Sequence, residues 1–214
     1  EVKAARGEIV GSLAFGVIPT AAIQAADLAQ RLHARHPRVQ TSIVTTNSLG
    51  VQQGVEDGRF DFGITYTEGA AQDLLRIRPL YDERYSLLAP EAMAGARERI
   101  PWAEAAALPL ILLEPSMQNR RIVDSVFREI GEVPRVVSET SGFLPAVVMA
   151  ARGMGATVIP DALRAGLGRI DGVRVLPLTE PDLAKSVSLV TSRRRPAIPA
   201  ALALLDMLAE DAAP

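Results

Sequence analysis

Cysteine is absent from this 214-residue sequence, which excludes disulfides and thiolate metal sites and suits a reducing, cytoplasmic setting. Histidine is limited to His33 and His36, next to Pro37 at an expected helix end. They read as a solvated helix terminus, so no metal is expected, no cofactor, and no Ser/His/Asp catalytic arrangement. Lysine is nearly missing too: Lys3 and Lys185 stand against 21 arginines. With abundant alanine this reads as a coding bias, so no single arginine carries much weight, and Arg193-Arg194-Arg195 reads as a solvated loop. A basic surplus is also lacking. The net charge is −2, whereas gripping a nucleic-acid backbone calls for a cation at each phosphate contact. No apolar run approaches the roughly 18–20 residues of a membrane helix, so no membrane partner is expected. Neither a G-x-x-x-x-G-K loop nor a G-x-G-x-x-G loop occurs. Glu1-Val2-Lys3 shows no charged-then-apolar signal region.

What is present is an alternation of strand and helix, in a chain that is 48% hydrophobic. Glu8 to Val17 alternates as a strand and stops at Pro19. Ile23, Ala26, Ala29 and Leu32 recur at helical spacing across 20–35, before His36-Pro37 breaks the helix. Val39 to Thr45 is a second strand. Asn47-Ser48 supplies an N-cap for a helix ending at Gly58, and Phe60 to Ile64 returns as a third strand. That order predicts a parallel, helix-covered sheet. Leu74 to Leu80 and Arg84 to Ala89 are extended with no long helix between them. Then Leu110–Leu113, helix 116–130 (Ile122, Val126 and Ile130, with Val123 and Phe127), Arg135–Glu139, helix 141–152 (Leu144, Val147, Val148, Ala151) and Gly155–Ile159 restore the alternation. A short helix follows Pro160, Val173–Leu178 and Val187–Thr191 are extended, and a last helix near 197–210 carries Ile198, Leu202, Leu205 and Leu208. Gly58 and Gly153 each follow a helix and are expected at positive φ.

The expected fold class is α/β: two Rossmann-like lobes joined by two crossover segments, residues 1–82 with 186–214 forming lobe I and 83–185 lobe II. In open α/β sheets ligands sit beyond the carboxyl ends of the strands, so a cleft between lobes is the expected binding place.

Several stretches resemble the effector-binding domain of LysR-type transcription regulators. Gly11-Ser12-Leu13-Ala14-Phe15-Gly16-Val17-Ile18-Pro19-Thr20 resembles that family's first strand and ligand loop. Arg35-His36-Pro37-Arg38-Val39 is similar to its following junction. Val55 to Ile64, with Gly58 and Asp61, resembles its helix-to-strand segment. Ala150 to Pro160, with Gly153 and Gly155, resembles its Gly-x-Gly strand entry. The resemblance covers nearly the whole chain and implies a type 2 periplasmic-binding-protein-like fold. It implies a cytoplasmic, non-enzymatic sensor that works by allostery as a homodimer, or as a tetramer at full length. DNA would be reached only through an N-terminal helix-turn-helix missing from this sequence, with Glu1 to Arg6 as a remnant of the linker. The alternative is a solute-binding protein of a transport system with the same two-lobed plan. A helix-turn-helix encoded upstream of residue 1 favours the regulator, a secretion signal the transporter.

The loops at strand ends supply the candidate effector-binding residues. They are Pro19, Thr20 and Ala21 after the first strand, Thr46, Asn47 and Ser48 after the second, and Thr65 and Tyr66 after the third. In lobe II they are Ser116, Met117, Asn119 and Arg120, then Thr140, Ser141 and Phe143. Hydroxyls at helix starts are ordinarily N-caps, and Thr20 and Ser116 are expected to cap. Where several helix N-termini meet, unpaired N–H groups and positive dipole ends favour an anion. Arg120 or Arg121 can offer a planar fork to a carboxylate, or can pair with Asp124 instead. The expected ligand is a small anionic effector, a carboxylate or an inorganic oxyanion. With so few aromatics, Tyr66 and Phe143 are the evident ring candidates.

Overall fold

The computed structural model describes residues 9–211. The chain divides into two units, residues 1–80 with 188–214 and residues 81–187. The expected linker remnant, Glu1 to Arg6, lies outside the described residues.

The first unit opens with β1 (Gly11–Val17), whose inward residues Leu13, Phe15 and Val17 are fully buried. A 3-10 turn at Pro19–Ala21 leads into α1 (Ala22–Arg35). Thr20 therefore does not cap the helix: Ala21 occupies the N-cap position, without a side-chain hydrogen bond. Proline at the first position of the turn fixes φ and tightens it, which moves the helix start past the threonine. The buried stripe of α1 is Ala25, Leu28, Ala29 and Leu32: Ala29 and Leu32 are buried as expected, whereas Ile23 is half-buried and Ala26 exposed.

Then come β2 (Val39–Thr45), α2 (Ser48–Asp57) and β3 (Phe62–Tyr66). Asn47 caps α2, its side-chain oxygen accepting from Gly50 N at 2.8 Å. Gly58 ends that helix at φ 82°, a conformation that strains residues with a Cβ. β4 (Leu75–Glu83) leaves the unit, β11 (Lys185–Ser192) re-enters it, and α8 (Pro199–Asp211) closes it. The sheet order is β2-β1-β3-β11-β4, with β1 parallel to both neighbours. Phe15 and Phe62 stack at 5.9 Å in the core. The arginine run after β11 ties down neighbouring chain: Arg193 donates to the Gln72 and Leu75 carbonyls, and Arg195 to that of Asp57.

The second unit contains β5 (Tyr85–Pro90), α3 (Glu91–Ala94), β6 (Ile100–Pro101) and α4 (Trp102–Ala106). Next are β7 (Leu110–Leu113), α5 (Gln118–Glu129), β8 (Val136–Thr140), α6 (Phe143–Ala151) and β9 (Ala156–Pro160). It ends with α7 (Asp161–Leu167) and β10 (Val173–Thr179). The strand order is β6-β10-β5-β9-β7-β8. β7 lies parallel to β8 and β9, while β5 runs antiparallel to β9 and β10. Trp102 is fully buried, edge-on to Phe127 at 5.5 Å. In α5 Ile122, Val123, Val126 and Phe127 are buried as expected, whereas Ile130 falls just past the helix end and is half-buried. In α6 the buried stripe is Phe143, Ala146, Val147 and Ala150, leaving Leu144 70% exposed and Val148 exposed. α8 likewise buries Ala200, Ala201, Ala203, Leu204, Met207 and Leu208 and exposes Leu202, while Ile198 lies before the helix and is exposed. Among the described residues no helix is long and apolar enough to cross a membrane.

Candidate functional site

Register brings the first unit's candidate loops together. Val17 pairs with Thr45 on one side and Ile64 on the other, so three neighbouring parallel strands end at one level. Two backbone bonds fasten the loops beyond them: Thr46 N to Val17 O at 2.9 Å and Ile18 N to Ile64 O at 3.1 Å. Pro19, Thr20 and Ala21, then Thr46, Asn47 and Ser48, then Thr65 and Tyr66 consequently share one end of the sheet. The same geometry places the N-terminus of α2 and the turn before α1 there, since each follows its strand directly.

The hydroxyls at this end are unusual in their bonding. Thr20 and Thr65 are 1% and 0% exposed. Their side-chain oxygens, with that of Ser48, are buried and lack a hydrogen-bond partner among the described residues. A buried hydroxyl without a partner costs about 1–3 kcal/mol by mutational measures, so native folds normally satisfy it. Gln24 adds a fourth orphan, its Oε1, from the first turn of α1. Sequence reading passed over Gln24; the available signal was a lone amide one turn after the Pro-Thr turn, on a helix whose early turn is otherwise apolar. Asn47, in contrast, is satisfied as a cap. Tyr66 is buried at the end of β3, and Thr46 packs against Gly50.

In the second unit, β7 and β8 end side by side, fastened by Glu114 N to Thr140 O at 2.8 Å. Ser116, Met117, Asn119 and Arg120 after β7 thus neighbour Thr140, Ser141 and Phe143 after β8. Ser116 is no cap: α5 begins at Gln118 behind Met117, and the Ser116 hydroxyl donates to Glu114 at 2.9 Å. The turn closed by Met117 N to Glu114 O carries Ser116 outside the helix. Thr140 donates to the Gly142 carbonyl at 2.8 Å, Ser141 is exposed, and Phe143 is buried as the first residue of α6. Asn119 is 5% exposed, and its amide nitrogen has no partner among the described residues.

Arg120 is occupied within the protein. Its Nε donates to both oxygens of Asp124 at 2.8 and 3.0 Å, and its Nη1 to Leu113 O at 2.7 Å and Glu139 at 2.6 Å. Burial disfavours the charge, but the hydrogen bonds to Glu139 and Asp124 outweigh it and hold the guanidinium above its ordinary pKa. Arg121 turns back to the Ser116 carbonyl at 2.8 Å. Both guanidiniums brace the loop after β7.

A family model described as "LysR substrate binding domain" matches residues 6–213. The uncharacterized HTH-type transcriptional regulator YfeR of Shigella flexneri is 24% identical over 82% of this chain, a match that takes in 56% of that protein. This chain thus spans little more than half that relative's length. Among solved structures, the regulatory domain of Synechocystis PCC6803 CcmR in complex with 2-PG aligns with TM-score 0.80 at 20% identity. That alignment covers 94% of this chain and 97% of the other. The effector-binding domain of QuiR in complex with shikimate aligns with TM-score 0.76 at 19% identity, covering 92% of this chain and 95% of that one.

Proposed function

The chain belongs to the LysR substrate-binding domain family, the effector-binding part of transcription regulators rather than an enzyme, and from that premise we propose that it senses a small anionic metabolite. The observation that carries this reading is the set of buried hydroxyls of Thr20, Ser48 and Thr65, without partners among the described residues, at the shared end of the parallel strands β1, β2 and β3. Such hydroxyls can each donate to a carboxylate or oxyanion oxygen, and helix N-termini favour negative charge. Within the second unit, Asn119 and Ser141 at the loops after β7 and β8 are polar groups of the same kind. With Arg120 held internally, neutral donors carry the recognition. The complex of QuiR with shikimate, a carboxylate, supports an anion of this size.

Effector binding acts allosterically on a DNA-binding segment elsewhere in the full protein. The protein works in the cytoplasm as a homodimer, or a tetramer at full length. Exposed apolar side chains on α6 (Leu144, Val148) and β2 (Ile43, Val44) support self-association. Calorimetry against a panel of small carboxylates, inorganic oxyanions, neutral sugars and nucleobases tests the site. Saturable binding of an anion, weakened by Thr20→Val and Ser48→Ala, is the expected result. Binding of neutral sugars or bases with none of the anions refutes it.

A further inference from the structure

The second unit holds a cavity of 380 Å³ well away in sequence from the loops after β7 and β8. Its floor follows from strand register. Val175 of β10 pairs with Leu88 of β5, and Ser86 of β5 pairs with Ile159 of β9. Side chains two apart share a face, so Leu88, Ile159, Val173 and Val175 form one apolar surface. Leu88 and Ile159 are 0% and 1% exposed although they line the cavity. Its roof is the end of α7 and the loop 168–172, with Leu167 and Ile170 turned to it. That loop runs between Gly168 at φ 66° and Gly172 at φ 80°, and its far end is pinned by Glu91 N to Gly172 O at 3.1 Å.

The rim is charged. Arg164, Arg169 and Arg174 face two carboxylates, Glu91 and Asp171, so three cations less two anions leave a surplus of one positive charge. Arg169 stands 3.7 Å from Asp171, both almost fully exposed. Arg174 donates to the carbonyls of Gly95 and Arg97, neutral acceptors that leave its charge uncompensated. The Arg164 side chain makes no ion pair or hydrogen bond among the described residues. A volume in the range of small-molecule sites, an apolar floor and one surplus positive charge select a particular chemistry.

We propose that this cavity is a second ligand site, one that takes a monocarboxylate with a compact apolar body, its carboxylate at Arg164 and its hydrocarbon on Leu88, Ile159, Val173 and Val175. The rim carboxylates disfavour dianions, which separates this ligand from the small, highly oxygenated anion expected at the hydroxyl-rich strand ends of the first unit. The site lies wholly within the second unit and does not depend on the reading of the first.

Titration calorimetry of 4-phenylbutyrate into the full chain tests it, with 4-phenylbutyramide as the neutral control. The acid should bind saturably. Arg164→Gln should weaken it about tenfold, the worth of a modest charge-assisted hydrogen bond. The amide should bind at least as weakly as the acid does to that variant, and should not respond to Arg164→Gln. Arg164 is exposed and unpaired, so the variant folds; unchanged thermal unfolding verifies this. Thr20→Val should leave 4-phenylbutyrate binding unaltered, which separates failure here from failure at the first unit's site. Absence of saturable binding up to the ligand's solubility limit overturns the proposal, as does equal affinity for acid and amide. Acid binding that responds to Thr20→Val and ignores Arg164→Gln overturns it as well.

Discussion

Replacing Thr20 by valine separates a binding role from a structural one, because the two roles predict opposite signs. The side chain is 1% exposed and its hydroxyl has no partner among the described residues. Valine keeps the branched shape and removes the unsatisfied group. In the ligand-free protein, stability should hold or rise by up to about 1 kcal/mol, a fraction of the usual penalty for an unmade buried hydrogen bond. For a chain of this size that is a rise in Tm of about 2–4 °C. With an anion bound, the hydroxyl donates to a charged oxygen, an interaction worth about 1.5–3 kcal/mol, so affinity should fall roughly 10- to 150-fold. Thermal unfolding with and without ligand measures both quantities in one experiment, since a ligand that binds the folded state raises Tm according to its saturation. A variant that loses stability by more than about 1 kcal/mol while keeping its ligand-induced shift refutes the reasoning, because Thr20 then serves the fold and not the ligand.

Arg120→Met should destabilise the protein by about 2–4 kcal/mol in urea unfolding, because the Leu113 carbonyl loses its donor and Asp124 its countercharge; a change below about 1 kcal/mol, with lost ligand binding, would return Arg120 to the effector site. Gly16→Ala should cost about 1–3 kcal/mol by urea midpoint, since a Cβ there overlaps the Phe60 ring, which also lies against Gly54. Tyr81 gives a pH prediction. Burial, and then the nearby Glu83 carboxylate, push its phenol well above the ordinary range, and its oxygen has no hydrogen-bond partner among the described residues. The folded state holds this proton where the unfolded chain releases it, so stability present below pH about 10 is lost as pH rises from there toward the folded-state pKa. Tyr81→Phe should flatten that alkaline loss while leaving stability near pH 7 unchanged or slightly higher, as measured by denaturant unfolding across pH; an unaltered alkaline slope refutes this.

The sequence by itself determined the local architecture. Period-two runs ending in proline or glycine, Asn47 before a helix and Gly58 after it depend on sterics and hydrogen bonds within a few residues, so they were legible without tertiary context. The α5 stripe was legible too, because its polar residues leave a single apolar face. Which face α6 and α8 bury was not: FLPAVVMAA and PAALALLDML are apolar nearly all round, so several phases fit and only the sheet beneath selects one. The site divided in the same way. Topology placed the candidate residues at strand ends, because helices follow parallel strands directly, but the bonding of each side chain was decided by partners remote in sequence. Thr20 became an orphan when the Pro19 turn displaced the start of α1, Ser116 was drawn to Glu114, and Glu139 reached Arg120 across β7 and β8. Whether a polar group is committed or available depends on what tertiary packing brings within about 3 Å, the reach of a hydrogen bond, and no spacing along the chain encodes that distance.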